Sequence, residues 1–233
     1  MSAAFSHPSY ALFDFADTLA ELQPSRQDVV AEHIQRVAGV TVPAEHIARC
    51  YKLVELVVQY SSVRTRTVAQ RAEFYFEYNQ RLLALLGMLH KVPPESLFDA
   101  FGRHEKHWAL KPGVRETLVG LRGRGYKIGI ISNFDTRLEQ IVQERLELGG
   151  LVDHLHISQS EGVEKPDPRF YLGFFEKHGI PIERSFYLGD SYVLDFLPAT
   201  GISLKTWLLD EAGLFTHCPE AVRRVSDLLS LLP

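Results

Sequence analysis

Hydrophobic positions along the chain follow two regimes. Tyr10-Ala11-Leu12-Phe13 and Phe15 form a short apolar run broken by one carboxylate, Asp14. Its length and apolarity predict a strand over 10–15, buried on both faces. From about residue 20 to 108 the spacing becomes helical. Gln23-Pro24-Ser25 offers a helix start, with Ser25 as N-cap and Asp28 in the capping-box position. Val29, Val30, His33, Ile34 and Val37 follow at helical spacing, and Gly39 ends the run. Pro43 opens a second helix carrying Ile47, Tyr51, Val54, Leu56 and Val58. A third is predicted from about Thr67 to Gly87, its aromatic run Phe74–Tyr78 read as core. Pro93-Pro94 separates a fourth that carries Leu97, Phe98, Phe101 and Trp108. Four helices without a strand predict an α-helical insert after the first strand.

From Lys111-Pro112-Gly113 the pattern alternates helix and strand. Strands are predicted at 127–131, 154–157, 185–188 and 203–208. Helices are predicted at 113–124, 136–148, after Pro168, before Gly201, and at the end through Leu228. Repeated strand–helix units imply a parallel sheet covered on both faces, a three-layer α/β core. The expected division is a core of residues 1–19 and 109–233 and a helical segment of residues 20–108.

Composition adds exclusions. The chain has 233 residues, 45% apolar and 23% charged, which suits one substantial core plus a smaller inserted domain. A formal net charge of −4 leaves no electrostatic footprint for nucleic acid or an anionic membrane. The two cysteines, Cys50 and Cys218, lie far apart and have no metal-ligand spacing, so free thiols in a reducing compartment are expected. Met1–Tyr10 lacks a basic region followed by an apolar run, so no signal peptide is expected. No run of 18 apolar residues predicts a membrane span, and a cytoplasmic location follows by default.

The candidate chemistry lies at strand ends. Asp14, Ser132 and Asp190 each close or follow an apolar strand, and Lys165 precedes a helix. In a parallel sheet such groups converge beyond the carboxyl ends of the strands. Two carboxylates suit a hard divalent cation such as Mg²⁺. A hydroxyl, backbone amides and an ammonium suit the oxygens of a phosphoryl group. Asp14 could then attack phosphorus to give an aspartyl phosphate.

These four clusters, in this order, resemble the haloacid dehalogenase superfamily of hydrolases. Asp14, Thr18 and Leu19 match its first motif, Asp-x-Asp-x-Thr, with Ala16 at the second Asp. Ile130-Ile131-Ser132-Asn133 matches the second motif and Lys165-Pro166-Asp167-Pro168 the third. Gly189-Asp190 with Asp195 matches the fourth. The resemblance implies that Asp14 is nucleophile and metal ligand, with the Ala16 backbone carbonyl and Asp190 as further ligands. Asp195 would support the metal site from behind, through water or Lys165. Thr18, Ser132, Asn133 and Lys165 would bind the phosphoryl group or orient its loop. The helical insert would be a C1-type cap whose closure excludes water. A small phosphorylated metabolite is the implied substrate, with the protein a monomer or homodimer.

Ala16 is the departure. In family phosphatases the second Asp protonates the leaving oxygen and then activates water, and alanine can do neither. Asp17, one residue on, could replace it only if the backbone turns there, because one step along an extended chain reverses the side chain. A cap residue is another source, and a substrate with a good leaving group is a third solution. Phosphonoacetaldehyde hydrolases also carry Ala here and use a cap lysine, for which Lys52 is the candidate. Haloacid dehalogenases also lack the second Asp and share Lys165-Pro166-Asp167-Pro168-Arg169 and Tyr171, but they need no metal, and Asp190 argues against them. A silent binding protein on the same fold is the reading from another functional class.

Overall fold

The strand β1 (Ser9–Phe13) is the pivot of the sheet in the computed structural model, which describes residues 9–60 and 68–232. The sequence readings of residues 1–8 and Thr67 lie outside those residues. On one side β1 pairs with β4 (Tyr126–Ser132), which pairs with β5 (His154–Ile157). On the other side stand β6 (Ser185–Gly189), β7 (Lys205–Leu209) and β8 (Ala221–Val222). The order is β5-β4-β1-β6-β7-β8, and every pairing is parallel. Parallel strands are covered on both faces, which is why the middle strands read as unbroken apolar runs.

Each face has its own core. Phe13, Phe15, Ile128, Ile130 and Leu188 pack on one side with α5 (Val114–Gly123) and α10 (Leu228–Leu231). Leu12, Ile131 and Tyr187 pack on the other against Phe170, Tyr171 and Phe174 of α8 (Pro168–His178). The chain divides into Met1–Glu21 with Trp108–Pro233, and Leu22–His107. The second unit holds α1 (Arg26–Ala38), α2 (Ala44–Tyr60), α3 (Val68–Leu85) and α4 (Ser96–Gly102). Ser25 caps α1 by accepting from the Asp28 amide, and Gly39 ends it at φ 67°, a left-handed conformation that favours glycine. Val30, Ile34, Ile47, Leu82, Leu83, Val92 and Leu97 are wholly buried at its centre.

Three local expectations are corrected. Residues 20–108 are not helical throughout: β2 (Ala20–Gln23) and β3 (His107–Leu110) pair as a two-stranded ribbon. Trp108 therefore belongs to a strand, its indole 5.0 Å from Phe15 and 5.6 Å from Phe134. Strands of four residues are too short to show alternation against a helical background. The expected terminal helix is instead a turn-rich segment, β8, a 3₁₀ turn at Val225–Asp227 and α10. Asp210 organises that segment, its carboxylate accepting from the Leu214 and Phe215 amides at 2.9 Å each. Two predicted helices also change pitch. α6 (Arg137–Gln140) runs into a π-helical turn at Ile141–Arg145, and another at Tyr192–Phe196 precedes α9 (Leu197–Gly201).

Candidate active site

Strand register brings the predicted residues together. Phe13 of β1 stands opposite both Ile130 of β4 and Leu188 of β6. The chain positions just beyond that line are Asp14, Ser132 and Asp190. The Asp14 amide donates to the Leu188 carbonyl at 2.9 Å, so the first residue past β1 is still tied to β6. Oxygens of Asp14, Asp190 and Asp195 lie within 4.8 Å of one another.

Lys165 sits among them, 4% exposed. Its ammonium donates to Asp14 Oδ1 at 2.6 Å, to Asp195 Oδ1 at 2.6 Å and to the Tyr187 hydroxyl at 2.7 Å. Asp195 Oδ2 accepts from the Ser191 amide at 3.0 Å. Both Asp195 oxygens are thus engaged within the protein, which fits a supporting acid better than a direct metal ligand. The close approach needs Gly189, because a side chain there would collide with the Asp195 carboxylate.

Asn133 meets Lys165 from another side. Its amide oxygen accepts from the Lys165 backbone N–H at 2.8 Å, and its amide nitrogen donates to the Lys165 carbonyl at 3.0 Å. The side chain therefore holds the lysine loop, and the Asn133 amide expected at the phosphoryl group is the backbone one. Thr18 is wholly buried, and its hydroxyl donates to Asp190 Oδ1 at 3.3 Å. It aligns a carboxylate in this arrangement. Ser132, 1% exposed, closes β4.

The loop after Asp14 turns sharply. Leu19 and Ala20 amides both donate to the Phe15 carbonyl, and Asp17 adopts φ 60°. Aspartate tolerates that left-handed conformation better than most residues. The turn that Asp17 would need is therefore present. Lys111, 9% exposed, secures it by donating to the Asp17 carbonyl at 3.1 Å while ion-paired with Glu211.

Tyr187 and Lys111 were not singled out by sequence. Both carried a signal. Tyr187 places a hydroxyl inside the buried strand Ser185-Phe186-Tyr187-Leu188, three residues before Asp190, and Lys111 follows the Trp108-Ala109-Leu110 strand end. Lys52, the Schiff-base candidate, is ion-paired with Glu55 one turn along α2 at 3.0 Å. Tyr171, shared with dehalogenases, donates its hydroxyl to the Leu194 carbonyl at 2.6 Å. Cys50 and Cys218 are free thiols.

Burial, opposed by Lys165 and helped by Asp195 and Asp190, pushes the Asp14 carboxyl up to about 7. Burial works against the Lys165 ammonium, but Asp14 and Asp195 outweigh it and hold its pKa above the ordinary value. Above about pH 7 the pair is ionised, and the 2.6 Å contact joins a charged donor to the Asp14 carboxylate. Three carboxylates thus gather around one ammonium in a largely buried, oxygen-rich pocket. A hard dication with oxygen ligands fits that donor set.

The comparisons agree with this geometry. The sequence profile of the haloacid dehalogenase-like hydrolases matches residues 9–200. A zebrafish (Danio rerio) relative named haloacid dehalogenase-like hydrolase domain-containing protein 3 is 30% identical over 132 residues, 55% of this chain and 53% of that protein. The chain thus spans about half the length of the first curated relatives it matches. A glyceraldehyde 3-phosphate phosphatase of Pyrococcus furiosus is 26% identical over 199 residues, 83% of this chain and 77% of that one. A magnesium-bound structure of a Bacillus subtilis HAD-hydrolase superposes with a TM-score of 0.62 at 17% identity, covering 97% of this chain and 99% of that one. That last likeness speaks to the fold alone. With profile, strand order and motif geometry in agreement, the chain belongs to the haloacid dehalogenase-like hydrolase family.

Proposed function

We propose that this protein is a Mg²⁺-dependent phosphomonoesterase that acts on a small phosphorylated metabolite through an aspartyl phosphate on Asp14. The observation that carries the reading is the buried Asp14–Lys165–Asp195 array with Asp190 beside it, at the carboxyl ends of adjacent parallel strands. Asp14 Oδ1 is committed to Lys165, so its other oxygen is left to form the bond to phosphorus. As that bond forms, the ester P–O bond breaks, and the leaving oxygen needs a proton unless it is a stable anion. Water then cleaves the acyl phosphate and restores Asp14. Asp14, Asp190 and the Ala16 carbonyl would hold Mg²⁺, which supplies charge neutralisation and polarisation of the phosphoryl oxygens when bound. Ser132 and the Asn133 amide would orient the phosphoryl group. Ala16 offers no acid. Asp17, held in the turn one residue on, is the nearest acid in sequence.

The helical unit is assigned the part of a cap. Its two chain connections leave the core just after Leu19 and return just before Lys111, whose backbone groups are hydrogen-bonded at 3.0 Å. The phosphatase names among the relatives favour the same reaction class. The test is turnover of para-nitrophenyl phosphate and a panel of sugar and triose phosphates. Release of phosphate that needs Mg²⁺, stops with EDTA and is lost in Asp14→Asn is the expected result. Turnover indifferent to both chelation and Asp14→Asn would sink the reading.

A further inference from the structure

An ammonium has three N–H bonds, and the sequence reading reserves one of Lys165's for the substrate. The structure spends all three inside the protein, on Asp14, Asp195 and Tyr187, at 2.6, 2.6 and 2.7 Å. Tyr187 accepts from Lys165, so its own proton must go elsewhere. Asp195 Oδ1 lies 2.6 Å away and the Ile131 carbonyl 3.5 Å away, and the nearer, charged acceptor wins. Lys165, Tyr187 and Asp195 therefore close a three-cornered ring of hydrogen bonds.

The ring has little room to rearrange. Tyr187 is wholly buried in β6, opposite Leu12 of β1. Its aromatic ring meets Tyr171 edge-on at 5.5 Å, and the Tyr171 hydroxyl holds the Leu194 carbonyl beside Asp195. Asp195 is fixed at its other oxygen by the Ser191 amide. A hydroxyl placed between two charges in a dry pocket is costly unless both of its bonds are made. Here both are made, and each goes to a member of the site.

We propose that Tyr187 is a positioning residue that completes the coordination of Lys165, so that Lys165 orients Asp14 and leaves contact with the phosphoryl oxygens to other groups. The role is stated for the phosphatase reaction above and rests on that reading. Without the hydroxyl, Lys165 gains a spare N–H and Asp195 Oδ1 loses a donor. The ammonium then has freedom to leave Asp14 Oδ1, and the attacking oxygen loses its fixed direction. Loss of orientation at the nucleophile lowers turnover and leaves ground-state binding of the substrate in place.

Tyr187→Phe keeps the ring and removes only the hydroxyl. Its kcat is expected to fall about tenfold or more, the scale of one hydrogen bond to a charged group, with KM within about twofold of the parent. An unchanged kcat, or a lowered KM from a lysine freed to grip substrate, would overturn the proposal. A second measurement uses the unaltered protein and needs no turnover. With ¹⁵N-labelled lysine, a buried and fully bonded ammonium gives a slowly exchanging N–H signal in proton–nitrogen NMR. Lys165, assigned by comparison with Lys165→Met, should give such a signal, and Tyr187→Phe should speed its exchange. A fast-exchanging Lys165 in the parent protein refutes the ring directly. Absence of phosphatase activity with the slow signal intact would remove the reaction and leave the ring standing.

Discussion

Asn133 grips the backbone of Lys165 from both sides, accepting from its N–H at 2.8 Å and donating to its carbonyl at 3.0 Å. The two residues are 32 positions apart and come from different strand–helix units. The clamp ties the loop after β4 to the loop that delivers the ammonium. Asn133→Asp keeps the acceptor and loses the donor, so it should weaken the clamp by half. Asn133→Ala should remove it, at about 1 kcal/mol because Asn133 is exposed and water can replace part of the bonding. Urea unfolding with parallel assays would rank the parent, Asp and Ala forms in that order for both stability and turnover. Equal turnover in all three would mean that Lys165 needs no such support.

Lys111 does for the Asp14 loop what Asn133 does for the lysine loop. Its ammonium holds the Asp17 carbonyl, and its backbone N–H holds the Leu19 carbonyl. Lys111→Met keeps most of the side-chain length and the backbone bond but removes the charge. It should lower turnover by about tenfold, through a loop free to leave its turn, with only a small fall in melting temperature. Glu211→Gln, which removes the charge of the half-exposed partner, should have a weaker effect of the same kind, since exposed ion pairs contribute little. A larger loss in Glu211→Gln than in Lys111→Met would show that Glu211 acts on its own account.

Much of this site was legible because parallel sheets make polar residues at strand ends conspicuous. Asp14, Ser132 and Asp190 stand out as hydrophilic groups bordering apolar runs, and β1, β4 and β6 do lie side by side. What strand ends do not encode is who bonds to whom. Tyr187 reads as one more bulky residue of a buried strand, yet its hydroxyl occupies a hydrogen of Lys165. Trp108 follows a helical pattern in sequence yet lies in β3, because packing against Phe15 and Phe134 sets its strand and local periodicity does not. Directly after β7 the chain turns, Asp210 accepting from the Leu214 and Phe215 amides, and helix returns only at α10.

Three histidines give the core an acid-sensitive seam. His154 lies 4.1 Å from His178, and His156 stacks on Phe170 at 4.6 Å. Burial holds all three below the ordinary 6.5; Glu161 draws His156 and His178 up, and Lys177 pushes both down. An unfolded histidine takes its proton near 6.5 and these take theirs at lower pH. Their contribution is fully present above 6.5 and is lost as pH falls through the folded values. Asp14, raised to about 7, acts in the opposite sense, because its folded form takes a proton before its unfolded form does. The measurement therefore belongs in Asp14→Asn. Its urea midpoint should be lower at pH 5.5 than at pH 7.5, and adding His156→Gln should shrink the difference. A midpoint that does not move with pH would contradict the seam.

Ala16 is the position at which the missing acid of the proposed reaction can be tested. It is half-buried, bridged to Ala20 and packed against the core that holds Phe15. Ala16→Asp would put a carboxyl where family phosphatases carry their acid. The substitution also adds negative charge near Asp14, Asp190 and Asp195, so some stability should be lost in the absence of Mg²⁺ and recovered on its addition. Alkyl phosphates, whose leaving oxygen must be protonated, should gain most, by up to roughly 10²–10⁴ in kcat. Para-nitrophenyl phosphate, whose leaving group departs as a stable anion, should gain little. A gain confined to alkyl esters would identify leaving-group protonation as the step that Ala16 leaves unassisted. A folded Ala16→Asp with no gain on either class, combined with loss of turnover in Asp17→Asn, would instead move the acid to Asp17 and make its left-handed turn a working part of the reaction.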